Sequence, residues 1–246
     1  MKRLSVNFNV VVVVLVFFLL FTACLAEDAT ILHKVQKTDG VMGQKGQEST
    51  SVTYLSSDAI YEKSSAGNDF LIRFEGGSVL SINNKEKKYS EYTFEELNNA
   101  LASAGGDSEE NKEAQAMMKK MMGNMTKEAK LEKIGPAENI AGYSTVKYEL
   151  TMSPMLITIW AAPDLPMPDA YFDNMKLTAA KNPMFDLSAM FDSFKQIDGV
   201  GMKTETVFTM MGMTVKTREE VVKVEKGSFP EVTVPAGYKK QSMFDR

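Results

Sequence analysis

Short stretches in which apolar and polar residues alternate one by one fill most of this chain, and they constrain its fold more than any other feature. A period of two places the apolar side chains on one face of a β-strand. The alternation runs over 30–93, 129–162 and 202–240, and turn-forming clusters such as "AGND" and "NNKEK" separate the individual runs. The pattern predicts an antiparallel sheet of short strands, with "FPEVTVPAGYKK" as the closing strand.

Two stretches interrupt the alternation with a helical period, at about 94–126 and 168–198. In the first, five methionines share one arc of about 140° on a helical wheel. These are Met117, Met118, Met121, Met122 and Met125. In the second, a stripe of similar width contains Met184, Leu187, Met190, Phe191, Phe194 and Ile197. We therefore predict an α+β fold, a curved antiparallel half-barrel sheet with both helical insertions packed on its concave face.

The N-terminus reads as an export signal. In "MKRLSVNFNVVVVVLVFFLLFTACLA", Lys2 and Arg3 precede an apolar run that ends at Phe21, so residues 1–26 are predicted to be a signal peptide and 27–246 a single domain. Two processing routes stay open. Cleavage after Ala26 would give a free periplasmic protein, whereas use of "FTAC" as a lipobox would acylate Cys24 and anchor the protein to a membrane.

Composition narrows the function. Cys24 is the sole cysteine and His33 the sole histidine, so a mature domain has no disulfide and lacks the parts of a Ser-His-Asp or Cys-His catalytic site. Loss of residues 1–26 removes two of the 28 basic residues and none of the 32 acidic ones, and 26 minus 32 gives a formal charge of −6. An acidic protein of this kind is a poor nucleic-acid binder. We predict a non-enzymatic protein without a cofactor.

The methionine stripe allows three interpretations. The pattern alone favours plain core packing. A thioether site for Cu(I) is less favoured, because no cysteine and only His33 could assist it, and we predict no metal ligands. Methionine is also flexible and polarisable, which suits a surface that accepts varied apolar ligands. We therefore hypothesise that the five methionines of the first insertion, with Phe191 and Phe194, line a site for a lipid or an acylated peptide.

Four segments carry a resemblance to a known family. They are "DFLIRFEGGSVLSINNKEKKYSEYTFEEL", "IGPAENIAGYSTVKYEL", "ITIWAAPD" and "FPEVTVPAGYKK". Together they resemble the exported bacterial proteins of domain of unknown function 4412, which are similar in outline to Lol-type lipoprotein carriers and other half-barrel lipid-binding proteins. The resemblance implies a half-barrel that carries a hydrophobic ligand in the cell envelope. It implies no catalytic residues, and a structural or interaction module with a filled core stays the alternative.

Overall fold

The computed structural model describes residues 28–40, 45–96, 129–152, 154–173, 192–210 and 213–242. The predicted export signal, including Cys24, lies outside these ranges, and so does most of each predicted helical insertion. None of the described helices is long and apolar enough to cross a membrane.

The described residues form one open, curved sheet of 12 strands, which confirms the curved antiparallel sheet of the predicted α+β fold. The strands are β1 (Asp28–Thr38), β2 (Gln47–Leu55), β3 (Ala59–Ser64), β4 (Asn68–Arg73), β5 (Ser78–Asn83), β6 (Lys88–Thr93), β7 (Lys130–Pro136), β8 (Val146–Met152), β9 (Met155–Ala162), β10 (Val200–Met210), β11 (Met213–Ser228) and β12 (Lys239–Lys240). Their order across the sheet is β12-β6-β5-β4-β3-β2-β1-β11-β10-β9-β8-β7. All neighbours pair antiparallel except β12, which runs parallel to β6.

Tight turns join neighbouring strands, as the clusters of small and polar residues predicted. Between β4 and β5, for example, the Gly77 amide donates to the Phe74 carbonyl oxygen at 3.2 Å, and Gly76 and Gly77 both adopt positive φ. Glycine takes this conformation without the steric cost that a Cβ atom imposes. Neighbouring strands can therefore follow one another directly in the sheet.

The helical insertions are described only at their ends. Residues 94–96, 169–173 and 192–194 are helical and fall inside the predicted insertions at about 94–126 and 168–198. The first start is a capping box, in which the Glu96 amide donates to Thr93 Oγ1 at 3.1 Å and the Thr93 amide donates to Glu96 Oε2 at 2.7 Å. The interiors of both insertions, and their packing on the concave face, lie outside the described residues.

The sheet has two faces with different surroundings. We call the face that carries Leu32, Leu55 and Ile60 the inner face, and the opposite one the outer face. A bulge in β11 keeps the inner face continuous, because His33 pairs with Lys223 while Lys34 pairs with Val221, which leaves Val222 as an extra residue. Val221 and Val224, three positions apart, can then both contact the inner-face core around Leu32.

The C-terminal segment 229–238, which we call the strap, covers the outer face. The sequence predicted a closing strand here, and that prediction was wrong, since only Lys239 and Lys240 pair with β6. Pro230 and Pro235 have no amide hydrogen to donate to a ladder, which disfavours a regular strand. The strap instead packs its apolar side chains on the outer-face cluster of Ala59, Leu71, Leu80 and Ile82; these side chains are Phe229, Val232, Val234 and Tyr238.

A polar network fastens the end of the strap. Tyr238 Oη donates to Asn84 Oδ1 at 3.0 Å, and Asn84 Nδ2 donates to Oδ2 of the buried Asp69 at 3.0 Å. Tyr61 Oη donates to the same Asp69 oxygen at 3.3 Å. Burial, helped by the Asp69 carboxylate, raises the pKa of Tyr61 to about 12. The network therefore ties the strap to β3 and β4.

The single histidine is also accounted for on the outer face. His33 lies on the same face of β1 as Ile31 and Val35, and its side chain is 34% exposed. Its Nε2 atom lies 2.7 Å from Glu225 Oε2. His33 is thus a partly buried, paired residue of the sheet.

Candidate functional site

A cavity of about 530 Å³ lies between the inner face and the ends of the second helical insertion. Most of its lining is aliphatic or aromatic. The apolar residues that line it are Leu32, Leu55, Ile60, Phe70, Ile72, Ile159, Met167, Tyr171, Phe172, Phe194, Ile197 and Val200. A concave apolar space of this size is typical of sites that hold small hydrophobic ligands.

The floor of the cavity follows from strand register. Leu55 of β2 lies opposite Ile60 of β3, and Ile60 lies opposite Ile72 of β4, so three large side chains form a row across the inner face. Phe70, two residues before Ile72, extends the floor and is 41% exposed. An aromatic side chain on the inner face with this much exposure marks an apolar surface that the described residues leave uncovered.

Close backbone packing fixes the wall at the end of the second insertion. The Val200 amide donates to the Leu165 carbonyl oxygen at 2.8 Å, and the Leu165 amide donates to that of Ala162 at 3.1 Å. Gly199 adopts a φ of 90° beside this turn, and a Cβ atom there would lie 1.9 Å from the Ala162 carbonyl oxygen. Only glycine adopts this positive φ without strain and also leaves room for the Ala162 carbonyl oxygen. Gly199 therefore allows this wall to approach the sheet closely.

A second contact holds the same wall on β8. Tyr148 is 1% exposed, and its Oη donates to Asp198 Oδ2 at 3.3 Å. Lys133 Nζ lies 3.3 Å from the same oxygen, and this hydrogen bond to Asp198 raises the pKa of Lys133. Asp198 is therefore anchored to β7 and β8, and this holds Ile197 and Phe194 against the sheet.

One part of the lining is polar and charged. Lys34 of β1 has a side chain that is 14% exposed, and its Nζ atom lies 3.0 Å from Glu219 Oε1 and 3.8 Å from Glu62 Oε2. Thr53 Oγ1 donates to the same Glu62 oxygen at 3.1 Å. These residues, with Thr204, give an otherwise apolar cavity one polar end. We call Lys34, Glu62 and Glu219 the charged trio.

The structure describes only part of the predicted lining. Phe194 is among the residues that line this cavity, and its contact with a ligand stays a prediction. Phe191 and the five methionines lie outside the described residues, so their role stays a prediction. Among the described residues, no group of three or more His, Cys, Asp or Glu side chains could hold a metal ion.

Sequence reasoning missed the charged trio, although a signal was present. Each member of the trio lies two positions from an apolar inner-face residue of its own strand. Lys34 follows Leu32, Glu62 follows Ile60, and Glu219 precedes Val221. An ionisable residue on the apolar phase of a strand costs free energy when buried unless it finds a partner. Such positions can be recognised in one strand, but their meeting depends on the order of β3, β2, β1 and β11 in the sheet.

Comparison with known proteins identifies a family. The family model described as Domain of unknown function (DUF4412) matches residues 70–238, more than half of the chain, and this confirms the family predicted from the sequence. No curated protein gives a significant match.

Solved structures resemble the chain only loosely. PNGF-II shares 10% identity at a TM-score of 0.40, and the comparison covers 87% of this chain but 31% of that one. A LolA superfamily protein from Nitrosomonas europaea shares 8% identity at a TM-score of 0.30, covering 83% and 88%. A DUF1329 family protein from Desulfovibrio piger shares 10% at 0.28, covering 84% and 88%. Scores this low carry no information about ligand or activity.

Proposed function

We propose, from the premise that the chain belongs to the DUF4412 family, that it is an exported, non-enzymatic protein that binds an apolar ligand in the inner-face cavity. The observation that carries this proposal is the cavity itself, about 530 Å³ of space with twelve apolar side chains around it. The ligand class is an acyl chain, either of a free lipid or of an acylated peptide.

Hydrophobic burial would supply the affinity. Apolar surface that leaves water contributes about 25 cal/mol per Å², so each methylene group buried in the cavity contributes about 0.8 kcal/mol. Flexible neighbours such as Met167 can adjust to chains of different shape. We therefore expect the cavity to accept acyl chains of different length and shape rather than one specific compound.

Gly201 offers a direct test because it lines the cavity and leaves room for a side chain. A Cβ atom at Gly201 would lie 3.7 Å from Ile159 Cγ2 and 3.8 Å from Thr204 Oγ1, which are ordinary contacts. We expect the leucine side chain of Gly201→Leu to fill part of the cavity. The affinity of the protein for a fluorescent fatty acid should then fall about tenfold. Gly201→Ala is the matched control and is expected to bind nearly as well as the wild type.

Native mass spectrometry of protein taken from its own envelope provides the second measurement. A bound apolar molecule that is retained by the wild type and by Gly201→Ala, but lost from Gly201→Leu, would support the proposal. Wild-type protein that carries no such molecule, and that binds neither the fluorescent fatty acid nor an uncharged fatty alcohol, would contradict it. The chain would then be a structural module with a filled core.

Export belongs to the same proposal. We infer from residues 1–26 that the protein reaches the cell envelope, either free or anchored through an acylated Cys24. Labelling of cells with a radioactive fatty acid separates the two routes, with Cys24→Ala as the control. Label in the wild type that disappears in Cys24→Ala establishes the anchor, and no label in either protein removes the lipoprotein route.

A further inference from the structure

The charged trio gives the cavity a polar end whose charge has a definite sign. One lysine and two glutamates carry a formal charge of −1, and no other ionisable Lys, Arg, Asp, Glu or His side chain of the described residues lines the cavity. The trio is drawn from three strands, β1, β3 and β11. It adjoins the apolar floor, because Glu62 lies opposite Phe70 across the β3–β4 pair.

In the charged trio, carboxylate oxygens are available as hydrogen-bond acceptors, whereas the one ammonium group is already paired. Lys34 is the residue shared between both carboxylates, and its side chain is the least exposed of the three, at 14% against 39% for Glu62 and 34% for Glu219. Glu62 Oε1 and Glu219 Oε2 accept no hydrogen bond from the part of the chain that the structure describes. A ligand group that reaches this end therefore meets carboxylate oxygens that are available as acceptors.

We propose that the charged trio selects the polar end of the ligand, favouring an amphiphile whose head donates hydrogen bonds or is cationic, such as an amine, over one whose head is a carboxylate or phosphate. This inference rests on the proposed function, since it concerns the head group of the molecule whose chain occupies the cavity. A cationic head is attracted by the net charge and can donate to Glu62 and Glu219. An anionic head is repelled by two carboxylates, while Lys34, the only cationic side chain among the described residues that line the cavity, is already paired.

Three amphiphiles with chains of equal length test the selection: dodecylamine, dodecanol and dodecanoate. For each protein variant, the affinities for the amine and the carboxylate are divided by the affinity for dodecanol. This division corrects for any effect of the substitution on binding of the alkyl chain. We expect the wild type to bind dodecylamine at least about tenfold more tightly than dodecanoate at low salt. The ratio should shrink as salt is added, because the carboxylates are partly exposed.

Charge variants make the test specific. Glu219→Gln removes the net charge of the trio and is expected to bring the amine-to-carboxylate ratio close to one. Lys34→Gln makes the trio more negative by one unit and is expected to raise the ratio. Glu48→Gln is the matched control, since Glu48 pairs with Lys37 at 3.0 Å on the outer face and does not line the cavity, and it is expected to leave the ratio unchanged.

The outcomes separate this inference from the function on which it rests. If dodecanol binds but the wild type holds dodecanoate as tightly as dodecylamine, the head-group inference is wrong and the binding function stands. The same conclusion follows if Glu48→Gln moves the ratio as much as Glu219→Gln does. If none of the three amphiphiles binds, both proposals are wrong. Circular dichroism identifies a variant that fails to fold, and the wild-type ranking and its salt dependence then decide.

Discussion

The inner and outer faces of strands β3 to β5 are built from alternate residues of the same three strands, yet they are covered in different ways. On the outer face Leu71, Leu80 and Ile82 are buried under the strap, which the chain itself supplies. On the inner face Ile60, Phe70 and Ile72 line a cavity of about 530 Å³. Among the described residues, one hydrophobic core is complete and the other has space beside it, which is where the proposed ligand would bind.

The largest expected effect concerns the wall of the inner cavity. Gly199→Ala would combine a strained φ with a clash against backbone, so we expect it to lower the free energy of unfolding by about 3 kcal/mol or more. Gly76→Ala is the control, because Gly76 also has a positive φ but would place its Cβ atom in open space. Its expected cost is about 1 kcal/mol. Urea unfolding compares the two, and equal costs would contradict the close approach at Gly199.

The next effect compares one aromatic residue on each face. Phe229→Ala removes strap packing and is expected to lower the free energy of unfolding by about 2 kcal/mol, less than for a fully buried phenylalanine because Phe229 is only half-buried. Phe70→Ala, at a residue that is 41% exposed, is expected to cost less than about 1 kcal/mol.

Ligand binding should show the opposite ranking for the same two variants. Phe70→Ala is expected to weaken binding of a fluorescent fatty acid about tenfold, because a ligand chain loses an apolar contact. Phe229 does not line the cavity, so its substitution should change that affinity little. Equal losses of affinity in the two variants would remove the distinction between the faces.

The smallest effect concerns the polar network under the strap. The pKa of Tyr61 is raised to about 12, above its ordinary value, so the folded state favours the protonated phenol. Its contribution to stability is full below pH about 10 and is lost as pH rises from about 10 to about 12. The ionisation of Tyr61 is isolated by subtracting the absorbance titration curve of Tyr61→Phe from that of the wild type. The tyrosinate signal in this difference curve should have its midpoint at about pH 12. A signal near pH 10 would contradict burial of Tyr61 beside Asp69.

Local patterns predicted most of the sheet, and the reason is that each strand carries its own signal. Period-two alternation predicted strands over 30–93, 129–162 and 202–240, and β1 to β11 lie within or close to these ranges. The same reasoning failed for the strap, where the alternating apolar residues Val232 and Val234 do face a core. These two side chains contact the core although their segment forms no strand-to-strand backbone hydrogen bonds with other described residues. Alternation alone does not reveal whether such hydrogen bonds are present.

The residues of the candidate site differ in how far a sequence can point to them. Phe194 was proposed from a helical stripe, which is a property of one segment, and it is among the residues that line the cavity. Its contact with a ligand stays a prediction. The charged trio was missed, because Lys34 and Glu219 are 185 positions apart in sequence (219 minus 34) and meet only through the pairing of β1 with β11.

By itself the sequence determined the alternating strands, the turns between them, the capping box at Thr93 and, through its single cysteine, the lack of an internal disulfide, since each depends on residues close together or on composition. The tertiary structure alone decided which face the strap covers, where the cavity lies and which charges share it. Those features depend on the order of strands in the sheet, and strand order is set by long-range packing that no single segment encodes.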